Sequence, residues 1–159
     1  MEEKTEAVKS EETTVGLTMN YNPFSFISCQ EDALVLAGGI SHGLDADVIK
    51  KSGDLFATAR AMLLDACVCL LYRQGGDSMS MQGLVDLLQN DISHNEDQDI
   101  PSIKAAYDKI EADGATVEED LGLKRYRMFQ AIAYGETAIS VELDLYAKLS
   151  AMADRPLVG

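Results

Sequence analysis

The chain has 159 residues, of which 47% are hydrophobic, and its 27 acidic and 13 basic side chains give a formal net charge of −14. This length fits one domain that can bury a sufficient core without a disulfide or a structural metal. The charge disfavours binding to nucleic acids or anionic lipids, whose phosphates attract lysine and arginine. A negative surface either serves only solubility or attracts basic proteins.

The ends of the chain and its apolar runs set the expected boundaries. Residues 1–19 are rich in Glu, Lys, Ser and Thr, which predicts a mobile acidic leader rather than a signal peptide. We expect one domain over 20–153 and a short C-terminal tail over 154–159. The longest apolar run, 66–72, is too short to span a bilayer, so no membrane contact and a cytoplasmic location are expected. The chain has three cysteines, Cys29, Cys67 and Cys69. An odd number favours buried free thiols over disulfides.

The first half of the chain predicts two helices. The Asn22-Pro23 step favours a turn, and a helix follows from about Ser28, with an end left open by the Gly38-Gly39 pair. Asp54 is a suitable N-cap for a helix over 55–73. Residues 61–72 carry almost no polar face, which indicates a buried central helix.

The second half predicts four further helices. Ser80 caps a short amphipathic helix, residues 90–99 form a polar acidic loop, and Pro101 occupies the first turn of a helix that ends at Gly114. Thr116 opens the next helix, with Glu119 at capping-box spacing. A last helix covers 136–152. The sequence therefore predicts an all-α bundle of about six helices around the central helix 55–73.

Known catalytic and ligand-binding motifs are missing from the sequence. There is no phosphate-binding GxxxxGK[ST] or GxGxxG run and no GxSxG nucleophile elbow. His42 and His94 lie in separate segments without zinc-site spacing, and the acidic loop lacks the glycine of a calcium-binding loop. Asp65 lies inside the apolar helix, where a hydrogen-bonded structural role is favoured over catalysis. We therefore expect no catalytic residue, no cofactor and no metal.

Four segments, in this order, resemble a known module. They are Tyr21-Asn22-Pro23-Phe24, Gly53-Asp54-x-Phe56 with Leu63-Leu64, residues 82–88, and Lys124-x-Tyr126-x-x-Phe129 with Gly135-x-Thr137-Ala138. Together they resemble the all-α domain of type IV secretion coupling proteins, the TraG-type ATPases of conjugative elements in Gram-positive bacteria. The resemblance spans about 21–152.

The sequence departs from the family pattern at two places, and it lacks the family's motor. Asp54-Leu55-Phe56 stands where the family has Pro-Phe-Trp, and Glu136 stands where it has lysine. The ATPase that surrounds this domain in full coupling proteins has no counterpart in these residues. The resemblance implies a non-enzymatic cargo-recognition domain on the cytoplasmic face of the membrane. Its cargo would be a relaxase or a basic relaxosome accessory protein.

The expected contact residues are two groups of acids, and other functions stay open. The acids are Asp91, Glu96, Asp97, Asp99, Glu118, Glu119 and Asp120. A minor phosphate contact is assigned to Lys124, Arg125 and Arg127, and the isolated domain is expected to be monomeric. One alternative is a stand-alone acidic adaptor or inhibitor of a mobile element. The other is a small enzyme with a carboxylate site built from Asp65 and the loop acids.

Overall fold

A computed structural model describes residues 22–44 and 55–153 and shows six α-helices. They are α1 (Gln30–Leu44), α2 (Leu55–Gln74), α3 (Met81–His94), α4 (Ile103–Ala112), α5 (Leu121–Ile132) and α6 (Glu136–Ala153). Two short 3-10 turns, Pro23–Phe26 and Gly76–Ser78, complete the regular structure, and the described residues contain no β-strand. The all-α prediction is confirmed. The predicted leader, the C-terminal tail and the Asp54 cap lie outside the described residues.

Helix α2 lies at the centre of the bundle, as the sequence predicts. It packs against α1, α3, α5 and α6, while α3 packs against α6 and α4 against α5. Its buried residues are Ala59, Arg60, Leu63, Leu64, Ala66, Cys67, Val68, Cys69, Leu70 and Leu71. By length and composition alone α2 could span a bilayer, but its burial is that of the core helix of a soluble bundle.

A hydrogen bond and an ion pair are among the polar contacts that fix α2 to its neighbours. The hydroxyl of Tyr107, on α4, donates to the Ala66 carbonyl at 2.6 Å. The Arg60 guanidinium contacts the Asp144 carboxylate on α6 at 2.7 Å. Tyr107 and Arg60 are buried, while Asp144 stays partly exposed, and both contacts add geometric specificity to the apolar packing of the core.

Two of the three cysteines are buried in this core. Cys67 and Cys69 carry free thiols with almost no exposed surface, and Cys29 is half-buried. Burial raises the pKa of the Cys69 thiol to about 12 and also raises the pKa of Cys67, so neither forms a thiolate at neutral pH. The prediction of buried free thiols is confirmed for this pair.

Two helices extend further than the sequence indicates. One passes through a glycine pair where the helix end was left open, and the other continues into a segment predicted to be a loop. Helix α1 continues through Gly38 and Gly39 because Ala37 and Ile40 are buried against the core on either side of them. Helix α3 extends to His94, so the predicted loop over 90–99 is wrong for its first half. Tertiary bonds made by Asp91 and His94 hold that last turn in place.

The start of α5 also differs from the prediction. The segment 117–119 forms a turn, and the helix begins at Leu121 with Asp120 as its N-cap. The Asp120 carboxylate accepts the Leu123 amide at 3.0 Å and forms an ion pair with Arg73 at the end of α2. The predicted start at Thr116 is therefore wrong, because the pairing with Arg73 favours the later of two possible caps.

Replacement of this cap gives a direct test of the assignment. We expect Asp120→Ala to lower the free energy of unfolding by about 1–2 kcal/mol, since it removes the cap and leaves Arg73 without its carboxylate. Asp120→Asn keeps a capping oxygen and should recover about half of that loss. Urea unfolding followed by circular dichroism measures both changes. Equal stability of Asp120→Ala and the unchanged protein would contradict the assigned cap.

Candidate partner-binding surface and acidic cavity

The predicted contact acids that remain exposed form two separate groups. Glu96, Asp97 and Asp99 lie in the α3–α4 loop (95–102), and Glu118 and Glu119 lie in the α4–α5 connection (113–120). These connections lie at opposite ends of α4, a helix of 10 residues that is about 15 Å long. The five acids therefore form two local negative patches rather than one continuous surface.

The other two predicted contact acids face inward. Asp120 is 6% exposed, and its carboxylate caps α5 and forms an ion pair with Arg73. An oxygen of Asp91 accepts the amide of Ile103 at 2.6 Å and so caps the start of α4. Each carboxylate therefore has a structural role, and each is at least partly buried.

Most of the predicted basic cluster is already bound to carboxylates of the chain. Arg125 lies 3.6 Å from Asp65, and Arg127 lies 2.9 Å from Asp108 and 2.7 Å from Glu111. Only Lys124 of the three is exposed without an ion pair in the described residues. A phosphate contact by this cluster would have to displace existing ion pairs, which costs part of its free energy of binding.

Asp65 is a half-buried member of one of these pairs. Burial raises the pKa of its carboxyl to about 6, and the charge of Arg125 works in the opposite direction. The loop acids lie beyond the end of α3, away from this pair on the α2–α5 contact. The pairing with Arg125 therefore favours a structural role for Asp65 over a catalytic one.

The residues of α3, α5 and α6 enclose a different acidic feature, which we call the acidic cavity. Its volume is about 220 Å³. Its wall contains both apolar side chains and polar or ionisable ones. The lining residues are Leu63, Asp91, His94, Asn95, Ser102, Lys104, Tyr126, Phe129, Ala138, Ile139 and Glu142.

Two carboxyl groups meet in the acidic cavity. Glu142 is 8% exposed, and no N–H or O–H group of the described residues donates to its buried Oε2 atom. The side chain lies against Asp91 instead. Burial, together with the hydrogen bond to Asp91 and its charge, raises the pKa of Glu142 to about 10. At neutral pH, Glu142 is therefore protonated and shares its proton with the Asp91 carboxylate.

The remaining polar groups of the cavity are held by their own bonds. His94 Nδ1 lies 2.6 Å from the Ile100 carbonyl oxygen, and because a carbonyl can only accept, this nitrogen carries a proton. Lys104 directs its ammonium to Asp108 at 2.7 Å. Burial raises the pKa of the Tyr126 phenol, which stays neutral. No described cation is bound to the Asp91–Glu142 pair.

Sequence reasoning missed Glu142, although the pattern of α6 contains a signal. Ala138, Leu145 and Leu149 face the core at helical spacing, and Glu142 occupies the same stripe. A charged residue on an apolar stripe requires a buried partner. The identity of that partner, Asp91, depends on the packing of α3 against α6, which the sequence pattern does not specify.

A second concave feature adjoins the α3–α4 loop. It is a groove of about 440 Å³ between the end of α2, α3 and the start of α4. Leu70 and Leu71 are buried at its base, and the carboxylates of Asp77 and Asp86 are exposed at its rim. Ser102 lines both the groove and the acidic cavity, so the loop 95–102 lies between two concave surfaces.

Comparison with known proteins adds no relative. No family model, curated protein or solved structure matches this chain. The resemblance to the coupling-protein domain therefore rests on the four sequence segments alone.

Proposed function

We propose that this chain is a cytoplasmic cargo-recognition domain of a type IV secretion coupling protein and that it docks a basic DNA-processing protein. The cargo would be a relaxase or a relaxosome accessory factor. The four segments that resemble the family support this proposal through their order. Several of their residues, among them Phe24, Tyr126 and Phe129, are buried core residues, so the segments bear on the fold more than on the contact surface.

The observation that carries the proposal is the imbalance of charge on the surface. The described residues contain eight lysines and arginines, and all of them except Lys124 lie within 4 Å of the carboxylate of another described residue. Exposed acids without such a pair remain in excess. They are Glu31, Asp77, Asp86, Glu96, Asp97, Asp99, Glu118, Glu119 and Glu136. A surface whose cations are neutralised internally attracts a basic protein and repels a phosphate backbone.

The α3–α4 loop is the favoured contact because it lies between the groove and the acidic cavity. Glu96 and Asp99 are exposed in this loop, and neither carboxylate is bonded to another described residue. Asp97 differs, because its side chain accepts the Asp99 amide at 3.0 Å and shapes the turn. Charge reversal at Glu96 and Asp99 therefore tests recognition and leaves the turn intact.

We expect Glu96→Lys/Asp99→Lys to weaken binding of the cargo by about tenfold at low salt, since two attractions become repulsions. The dependence of affinity on salt concentration should become flatter. The cargo is first identified by mass spectrometry after a nuclease-treated pull-down from cells that carry a conjugative element. Its affinity is then measured by calorimetry with purified proteins.

The matched control is Glu118→Lys/Glu119→Lys, which makes the same charge change at the other end of α4. This variant should lose less than about threefold in affinity. Equal loss in both variants would indicate attraction by net charge alone and would contradict a contact at the α3–α4 loop. Failure to recover a relaxase or a basic accessory protein would contradict the cargo assignment and favour the stand-alone acidic adaptor.

A small carboxylate enzyme is the second candidate, and the acidic cavity is the observation that favours it. Its acids would be Asp91 and Glu142 rather than Asp65 and the loop acids. Asp91 already accepts the amide at the start of α4, and Glu142 is buried against Asp91, so both carboxyls have structural roles that favour binding over catalysis. Hydrolysis of a glycoside or peptide substrate that Glu142→Gln abolishes would favour this candidate over a binding domain.

A further inference from the structure

The Asp91–Glu142 pair can exist in two balanced states. Two carboxyl groups in contact cannot both ionise in a buried site unless something positive lies between them or beside them. Without a ligand, a shared proton fills that role, as described above. A cation of suitable shape could replace the proton and leave both carboxylates ionised.

The cations that the structure describes beside the cavity do not fill this role. Lys104 lies at the cavity, but its ammonium is bonded to Asp108 at 2.7 Å. His94 uses its Nδ1 proton for the Ile100 carbonyl. The buried Oε2 atom of Glu142 receives no N–H or O–H bond from any described residue. A positive group for this pair would therefore have to come from outside the described residues.

The walls of the cavity favour an organic cation over a metal ion. The described residues contain no group of three or more His, Cys, Asp or Glu side chains that could hold a metal. Apolar and aromatic side chains line the cavity together with the acids, namely Leu63, Tyr126, Phe129, Ala138 and Ile139. Apolar and aromatic walls suit an aliphatic stem with a flat charged head. A guanidinium can also bond two carboxyl groups at once, which an ammonium does less well.

The mouth of the cavity offers contact area for the rest of such a ligand. Ile139 lines the cavity and is 47% exposed, and Leu143, one turn further along α6, is also 47% exposed. These two residues form an apolar strip that no described element covers. A partner side chain that enters the cavity could place its apolar neighbours on this strip, as in interfaces where a buried anchor is surrounded by apolar contacts.

We propose that the acidic cavity receives an arginine side chain of the basic partner, whose guanidinium displaces the proton shared by Asp91 and Glu142. The apolar neighbours of that arginine would pack on Ile139 and Leu143. This inference rests on the proposed function for the identity of the partner. The chemistry of the pocket can be tested without that partner.

Binding of this kind is linked to pH. Glu142 loses its proton when the cation binds, so affinity should rise with pH while the unbound pair is still protonated. The other ionisable groups that face the pair are His94 from α3, Lys104 from α4 and Tyr126 from α5. Helix α2 contributes only Leu63 to this wall.

The probe is n-propylguanidinium, titrated into the isotopically labelled full chain and followed by amide chemical shifts in NMR spectra. We expect saturable shifts in residues 91–95 and 138–143 at millimolar probe, with affinity that increases between about pH 6 and pH 8. The neutral isostere n-propylurea should cause no saturable shift. Glu142→Gln should weaken probe binding by about tenfold, because its amide cannot supply a negative charge.

Glu136→Gln is the control, since Glu136 is exposed at the start of the same helix and should leave probe binding unchanged. Shifts scattered over the exposed acids, or equal binding by Glu142→Gln, would overturn the assignment of the cavity. The two proposals fail separately. Binding of a basic cargo with equal affinity to Glu142→Gln would refute only the arginine pocket, whereas probe binding at the cavity without any basic cargo would refute only the cargo function.

Discussion

Gly122→Ala is expected to lower the free energy of unfolding by about 2–4 kcal/mol, although alanine is the better helix former. A Cβ atom at this position would lie 2.5 Å from the Tyr107 hydroxyl oxygen and 2.8 Å from Cys69 Cβ. Tyr107 is buried, and its hydroxyl is bonded to the Ala66 carbonyl at 2.6 Å. The ring can move only if this bond breaks or if α5 separates from α2. Urea unfolding followed by circular dichroism measures the loss.

Two comparisons separate overpacking from any other effect of the extra methyl group. Gly38 is exposed on the outer face of α1, and nothing lies within 4 Å of a Cβ built there. Gly38→Ala should therefore stabilise the protein by about 0.5–1 kcal/mol. In a Tyr107→Phe background the nearest atom is removed, and Gly122→Ala should cost less than it does alone. Equal costs in both backgrounds would show that Tyr107 does not set the close approach.

The central helix and most of the helix order could be predicted from local signals. The run of apolar residues over 61–72 predicts burial on all sides, and α2 is the buried centre of the bundle. Ser80 was assigned as a cap from its position before an amphipathic stripe, and its hydroxyl accepts the Gly83 amide at 3.0 Å. Because such features depend only on residues that are close together in the chain, they can be predicted from the local sequence.

The features that sequence reasoning missed depend on residues distant in the chain. Thr116 and Asp120 are both possible caps, and Arg73, far earlier in the sequence, selects Asp120. The acidic cavity likewise depends on how α3 packs against α6, since this brings Asp91 to Glu142. The sequence shows that Glu142 lies on an apolar stripe, but periodicity within one helix cannot identify the partner on another helix.

Glu142→Gln is expected to stabilise the protein at neutral and alkaline pH and to have little effect near pH 4. The folded-state pKa of Glu142 lies far above its ordinary value of 4.5, so the folded protein binds a proton that the unfolded chain releases. Stability therefore falls as pH rises from 4.5 toward the folded-state pKa near 10, because the unfolded state binds fewer protons over that range. By this linkage the cost at pH 7 reaches up to about 3 kcal/mol.

Glutamine removes this cost because it stays neutral and can still donate a hydrogen bond to Asp91, as protonated Glu142 does. Thermal unfolding from about pH 4 to pH 9 should give curves that coincide at the acid end and diverge steadily as pH rises. Glu136→Gln, exposed on the same helix, should follow the unchanged protein at every pH. Parallel profiles for Glu142→Gln and the unchanged protein would mean that Glu142 is ionised in the folded state. In that case a positive group would already lie beside the pair, and the cavity could not release a proton when a cation binds.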